Sequence, residues 1–269
     1  MKIWKNTSTL DGFDVGLTFS KSKINSEIAL LGSKKINLDQ FPNLKAIFRA
    51  GIGRDNIPEK KAINKGIIVR FPSNKTINIL LEETANFTCS LILKMMYSKV
   101  GSIEPWIKES RCQLSKKKLL VIGTGNIGKR VVGLMKRFMS VMTFDILKNE
   151  DFQLKTMMEQ ADCVTIHIPM NNDNLSFINS EKLSWMKDGS VIINTARGAI
   201  VNENALYSEI KNDRLKAAFD VYWNEPYVGK LKEFHPHKFF MTPHVASTCD
   251  EFLIGCRNDI DMLIKEIEQ

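Results

Sequence analysis

Lys118-Leu119-Leu120-Val121-Ile122-Gly123-Thr124-Gly125-Asn126-Ile127-Gly128 is the stretch that decides the fold of this chain. An apolar run that passes at once into Gly-x-Gly-x-x-Gly reads as a buried strand, a tight turn and the opening of a helix. Val131, Val132, Leu134, Met135 and Phe138 then recur at helical spacing, and Val141-Met142-Thr143-Phe144-Asp145 forms the next strand, ending on an acid. Gly123 permits the turn, Gly125 lets backbone approach a pyrophosphate, and Gly128 allows the helix to pack closely on the strand. The free amides and positive dipole end of the helix suit phosphate groups. Asp145 lies 17 residues after Gly128, where a carboxylate accepts hydrogen bonds from an adenosine ribose and repels a 2′-phosphate. Ile146-Leu147-Lys148 offers one lysine and no arginine against that repulsion, so NAD is expected over NADP.

Outward from this unit the pattern repeats. Cys163 to Ile168, Ser190 to Asn194 and Ala217 to Val221 read as further strands, separated by helical stretches long enough for crossovers. Upstream, Glu27 to Leu31, Leu44 to Phe48 and Gly66 to Val69 make a smaller set. Glu83 to Tyr97 reads as a helix tying the two sets together, residues 98–117 carry little signal, and Asp250 to Glu268 reads as a closing helix. The alternation is that of an α/β protein with a mostly parallel sheet.

Composition narrows the class. The 269 residues are 43% hydrophobic and 25% charged, ordinary for a globular chain. No apolar run is long enough to span a membrane, and no secretory pattern follows Met1-Lys2-Ile3-Trp4-Lys5. Five scattered cysteines suggest reduced thiols in a cytoplasmic setting. The net charge of +8 is spread without a basic–aromatic stripe, so an anionic small substrate fits it better than nucleic acid. His235-Pro236-His237 lacks clustered carboxylates or thiols, so no metal site is expected.

Polar residues stand where three strands end: Asn194-Thr195-Ala196-Arg197-Gly198, Asp220 to Pro226, and Met241-Thr242-Pro243-His244. Open α/β sheets bind ligands at such ends. An arginine there can fork onto a carboxylate and a neighbouring carbonyl. A histidine can exchange the hydroxyl proton that accompanies hydride transfer, and a nearby glutamate favours its protonated form and fixes its tautomer. Each also has a plain structural reading: Arg197 as a cap salt bridge, Glu225 as a loop acid, His244 as a packed polar group.

Together the motifs resemble the D-isomer-specific 2-hydroxyacid dehydrogenases. The matching strings are GTGNIG at 123–128, HIP at 167–169, NTARG at 194–198, AAFDVYWNEP at 217–226 and TPH at 242–244; LKAIFRAGIGRDNI at 44–57 is similar to the family's substrate loop. The resemblance implies a Rossmann-type doubly wound parallel sheet with a second, smaller flavodoxin-like α/β substrate lobe, and an active site in the cleft between them. Residues 1–88, completed by 246–269, would be the substrate lobe, and 89–245 the NAD-binding domain. His244 would be the acid/base, Glu225 its partner, and Arg197 the group holding the substrate carboxylate and keto oxygen. Gly123, Gly125, Asn126, Ile127, Gly128, Asp145, His167, Pro169, Thr195, Ala196 and Asp220 would line the NAD site. Arg49, Gly51, Ile52 and Gly53 would meet the substrate, with Arg49 on a phosphate if the substrate is 3-phosphoglycerate or its keto acid. Hydroxypyruvate, glyoxylate and lactate-type acids are alternatives, as is a non-catalytic NAD-sensing co-regulator of the same fold. A homodimer formed through the cofactor lobes is implied too. Glu225 stands where formate dehydrogenases carry glutamine, which argues against formate. The region before Leu44 is short for the family, Arg54 replaces a small or apolar residue, and no appended regulatory domain is expected after Gln269.

Overall fold

The computed structural model describes residues 1–269 and resolves into two compact units, Met1–Glu83 with Ser247–Gln269, and Thr84–Ala246. In the smaller unit β1 (Lys2–Lys5), β2 (Thr18–Phe19), β3 (Ile28–Leu31), β4 (Ala46–Arg49) and β5 (Ile68–Arg70) make a parallel sheet in the order β2-β1-β3-β4-β5. That is the flavodoxin-like order. β3 and β4 are buried at every residue, as strands covered on both faces must be. β1 and β2 were not anticipated, because β1 buries only Ile3 and β2 is two residues long, so neither carries an apolar run.

Beyond α1 (Glu59–Asn64), α2 runs from Asn74 to Met96 and so begins well ahead of the expected Glu83. Ser73 supplies the start: its carbonyl accepts from the Ile77 amide at 2.8 Å and its hydroxyl from the Thr76 amide at 3.4 Å. A serine placed after a proline is a helix-start signal of the ordinary kind, masked here by the polar first turn.

After α2 the larger unit carries an antiparallel hairpin, β6 (Gly101–Ser102) and β7 (Ile107–Lys108), in the stretch whose sequence carries little signal. Its main sheet comprises β8 (Lys118–Ile122), β9 (Ser140–Phe144), β10 (Cys163–Ile166), β11 (Val191–Asn194), β12 (Lys216–Phe219) and β13 (Phe239–Met241). All are parallel, in the order β13-β12-β11-β10-β8-β9. Alternate residues feed opposite cores. Leu120, Ile122, Val164, Ile166 and Ile192 join one, with residues of α4 (Asp151–Gln160), α5 (Ser180–Ser184) and α6 (Glu203–Lys211). Leu119, Val121, Cys163, Val191 and Ile193 join the other, with α3 (Gly128–Met135) and the Ala85-to-Met95 stretch of α2. This two-sided burial is what the continuous apolar runs required. The chain then returns to the smaller unit as α7 (Asp250–Glu268), where Asp259 accepts from the Ser73 amide at 2.8 Å and the Thr76 hydroxyl at 2.9 Å.

The strand order reverses at β8, whose neighbours are β10 and β9. A reversal of this kind opens a crevice at the carboxyl ends of the strands. At the opposite end, Asp162 fastens the sheet: it accepts from the Lys118 amide at 2.8 Å and from Lys187 and Lys117 at 3.0 and 3.3 Å. Burial by itself would raise this carboxyl; the amide and the two ammonium groups outweigh it and hold it below its ordinary 3.8. A carboxyl lowered on folding adds stability that is full above the unfolded value and is lost as pH falls through the folded one. Asp162→Ala is expected to cost about 1–3 kcal/mol at neutral pH, since it strands the Lys118 amide. The gap between the urea midpoints of the two proteins should narrow as pH falls below about 4, where the carboxylate is protonated. A gap that stays constant on acidification contradicts this account.

Candidate active site

One register row sets the site. Phe144, Ile122, Ile166, Asn194, Phe219 and Met241 are successive Cα partners across the larger sheet. The residues next along each strand are therefore Asp145, Gly123, His167, Thr195, Asp220 and Thr242, and they leave the sheet level with one another along its carboxyl edge.

At the reversal, Gly123 has φ +91°, and a Cβ there would lie 2.6 Å from the His167 carbonyl oxygen. A Cβ on Gly128 would strike the Gly123 carbonyl, so the helix closes directly onto the turn. Gly125 has open space where its Cβ would be. The first backbone bond into α3 runs from the Lys129 amide to the Gly125 carbonyl, so the amides of Asn126, Ile127 and Gly128 sit at the uncapped helix start. An open cradle over amides at a helix N-terminus fits a dinucleotide pyrophosphate. Asp145 Oδ2 accepts from the Thr124 amide at 2.9 Å and hydroxyl at 2.6 Å, and Oδ1 from the Leu147 amide at 3.2 Å. These donors, the Thr124 hydroxyl first, hold its carboxyl below the usual range. His167 Nε2 lies 3.0 Å from the Thr165 hydroxyl, and desolvation drives the ring down to about 3, leaving it neutral. The Pro169 carbonyl accepts from Asn174 at 2.7 Å.

The turn after β11 is stapled by Asn194, a fully buried side chain. Its Oδ1 accepts from the Ala196 amide at 2.9 Å while its amide donates to the Arg197 carbonyl at 2.8 Å. Arg197 Nη1 donates to the Ala196 carbonyl at 2.8 Å. The Thr195 hydroxyl lies 2.8 Å from that of Thr88, which donates to the Thr84 carbonyl at 2.7 Å. A Cβ on Gly198 would overlap the Tyr222 and Trp223 backbone, so glycine lets the arginine turn and the segment after β12 come together.

Asp220 is fully buried. Its Oδ1 accepts from the Thr242 hydroxyl at 2.6 Å and the Val245 amide at 2.9 Å, and its Oδ2 from the Ala246 amide at 2.9 Å. Burial pushes this carboxyl up, and these donors oppose the shift. Asp220, expected to line the NAD site, thus accepts on both oxygens from the turn that carries His244. That turn is strained: His244 has φ +57°, left-handed backbone that costs of order 1–3 kcal/mol outside glycine. Its ring Nδ1 lies 3.0 and 2.9 Å from the two oxygens of Glu225, and Glu225 Oε1 accepts from the Tyr222 amide at 3.2 Å. A carboxylate at Nδ1 fixes the tautomer and leaves Nε2 for chemistry. The sequence motifs contain Asn194, Thr242, Tyr222 and Thr124 but assign none of them a role of its own. Small polar residues flanking strand ends were the available signal, since they commonly bond local backbone.

The loop after β4 belongs to the smaller unit. Arg49 is 5% exposed, and its Nη1 donates to the Ala50 carbonyl at 2.5 Å. Gly51 has φ +142°, and a Cβ there would lie 2.6 Å from the same Nη1, so the guanidinium lies against the glycine. Ile52 is exposed and Gly53 half-buried. Arg54 pairs with Glu59 at 3.0 Å and stacks 4.1 Å from the Phe71 ring centroid.

A phosphate-cradling turn at a sheet reversal, level with an arginine turn and an imidazole–carboxylate pair, defines a dinucleotide-dependent oxidoreductase. The chain belongs to the D-isomer specific 2-hydroxyacid dehydrogenase family, whose NAD binding domain model matches residues 97–246. It is 31% identical over 251 residues to a hydroxypyruvate reductase of Thermotoga maritima, covering 88% of this chain and 79% of that one. It is 29% identical to a D-3-phosphoglycerate dehydrogenase of Synechocystis, covering 95% of this chain but only 47% of the relative. Among solved structures, a D-lactate dehydrogenase from Aquifex aeolicus complexed with NAD and lactic acid superposes with a TM-score of 0.80 at 24% identity, covering 99% and 95% of the two chains. The chain is an NAD-dependent oxidoreductase of 2-hydroxy and 2-keto acids.

The Glu225 contact carries a spectroscopic consequence. Nitrogen-15 spectra of the neutral protein should show His244 protonated at Nδ1, and Glu225→Ala should shift population to the Nε2 tautomer. A wild type dominated by Nε2–H contradicts the geometry.

Proposed function

We propose that this enzyme reduces small unphosphorylated 2-keto acids, of the hydroxypyruvate or glyoxylate type, to the corresponding 2-hydroxy acids, with D configuration wherever C2 becomes a stereocentre. NADH, when bound, supplies the hydride, with the loop at Gly123, Gly125, Asn126, Ile127 and Gly128 holding the pyrophosphate and Asp145 the adenosine ribose. His167, Pro169, Thr195, Ala196 and Asp220 complete that site at the sheet edge. Arg197 holds the substrate carboxylate and polarises the keto oxygen, since a guanidinium presents paired donors to both. His244 gives that oxygen a proton from Nε2, and in the oxidative direction takes it back. Glu225 keeps the imidazole oriented and stabilises the cation formed in the oxidative step. Gly51, Ile52 and Gly53 offer backbone amides to the carboxylate.

The observation that carries this reading is the two-oxygen contact of Glu225 with His244 Nδ1 beside the Arg197 turn. The preference for an unphosphorylated acid rests on Arg49 and Arg54. One guanidinium is buried against its own loop and the other is engaged by Glu59 and Phe71, so neither stands ready for a phosphate. A phosphorylated acid is the second reading, favoured by the resemblance of the Arg49–Asn56 loop.

NADH oxidation measured over a panel of 2-keto acids should give turnover on hydroxypyruvate or glyoxylate that exceeds turnover on 3-phosphohydroxypyruvate. His244→Ala should lower it about a hundredfold or more while NADH affinity stays within about twofold. No oxidation with any acid in the panel, or near wild-type turnover by the variant, refutes the assignment.

We infer further that the enzyme is a cytoplasmic homodimer without nucleic-acid or membrane partners. Its five cysteines are unpaired thiols, in keeping with a reducing compartment. The β6–β7 hairpin exposes Ile103 at 76% and Trp106 at 75%, with Val100 and Ile107 alongside, an apolar patch suited to a second copy. Light scattering at micromolar concentration should give a dimer, and Trp106→Asp a monomer. A monomeric wild type rejects the dimer.

A further inference from the structure

Tyr222 reaches both members of the imidazole–carboxylate pair, each by a different group. Its main-chain amide donates to Glu225 Oε1 at 3.2 Å, and that oxygen lies 3.0 Å from His244 Nδ1. Its phenol hydroxyl lies 2.8 Å from the carbonyl oxygens of both Phe219 and Thr242 and shares its proton between them. The Thr242 carbonyl also accepts from the His244 amide at 3.0 Å, and the Phe219 carbonyl from the Thr242 amide at 3.1 Å. The hydroxyl therefore ties the end of β12 to the turn in which His244 holds left-handed backbone. Burial, followed by the Asp220 carboxylate, pushes this phenol well above its ordinary range, so it stays protonated and donates. The ring is fixed as well: it stacks on Tyr227 with centroids 5.0 Å apart and meets Phe239 edge-on at 6.5 Å. Tyr227 is held in turn, its hydroxyl donating to Glu203 Oε1 at 2.7 Å.

We propose that Tyr222 is a positioning residue that sets His244 against Glu225, holding the carboxylate by its amide and the histidine turn by its hydroxyl. The inference rests on the reading of His244 as the acid/base. A histidine at φ +57° is held in its backbone conformation by its surroundings, so the bonds around residues 242–244 decide where Nε2 points. Asp220 grips that segment through the Thr242 hydroxyl and the Val245 and Ala246 amides. Tyr222 fixes its other side, at the carbonyl that the His244 amide itself uses. Proton transfer is sensitive to such placement, since a shift of about 1 Å can cost about a hundredfold in rate. The hydroxyl is engaged by two main-chain carbonyls, so its effect on the reaction passes through His244.

The test is a double-mutant cycle in NADH oxidation with glyoxylate and hydroxypyruvate, joined to nitrogen-15 spectra of His244. The proteins are the wild type, Tyr222→Phe, His244→Ala and the double variant. Tyr222→Phe keeps the ring against Tyr227 and Phe239, and each carbonyl keeps a main-chain donor, so the variant should fold; thermal midpoints check this. It should lower kcat about tenfold, with the KM for keto acid and the affinity for NADH within about twofold. Part of the His244 population should also move from the Nδ1–H to the Nε2–H tautomer. In the His244→Ala background the same substitution should change kcat less than about twofold. An unchanged kcat, an unmoved tautomer, a loss confined to KM or NADH affinity, or an equal fold loss with and without His244 overturns the proposal. A His244→Ala variant that is itself crippled leaves the acid/base reading standing in each of those cases. Near wild-type turnover by His244→Ala overturns both.

Discussion

Six parallel strands that end on one register row are the constraint on which the site depends. Because Ile122, Ile166, Asn194, Phe219 and Met241 are successive partners, motifs separated by more than a hundred residues in sequence emerge level. A one-residue slip of any strand would exchange its two buried faces and turn its apolar residues into the wrong core. The row is therefore enforced by packing at every strand, and the chemistry inherits its precision from the two hydrophobic layers. Asp220 converts that precision into the placement of His244. A buried carboxylate that accepts three donors from the 242–246 segment can hold a histidine in left-handed backbone, a conformation the residue would not keep alone.

Much of this was legible in the sequence because the physics is local. A run such as Leu119 to Ile122 is buried on both faces and reads as a strand without further help, and the glycines after it have no other economical explanation. Arg197, Glu225 and His244 stood out as candidates for a related reason, since each lies within a few residues of such a run. The start of α2 was not legible: its first turn is polar, and the signal lay in the single hydroxyl of Ser73. β1 and β2 were missed because β1 buries only Ile3 and β2 is two residues long.

What the sequence could not convey was which partner each polar group takes. Asp220 was expected to face the cofactor, and its oxygens are engaged by Thr242, Val245 and Ala246. Asp145 was expected to accept from an adenosine ribose, and Thr124 also donates to it twice. Arg54 stood out only as a replacement for a small or apolar residue, and it is paired with Glu59. These are choices among several hydrogen-bonding options within a few ångströms, and residue spacing does not rank them. In each case the partner sits one turn or one strand away and leaves the fold intact.

The central claim is that this chain moves a hydride onto the second carbon of a 2-keto acid, with D stereochemistry. The most direct measurement is to supply NADH deuterated at C4, on each face in turn, with hydroxypyruvate, pyruvate and 3-phosphohydroxypyruvate, and to analyse the hydroxy acid formed by mass spectrometry and chiral chromatography. The account predicts a D-2-hydroxy acid carrying one deuterium at C2 from one face only. Label absent from the product, or an L product, would contradict it.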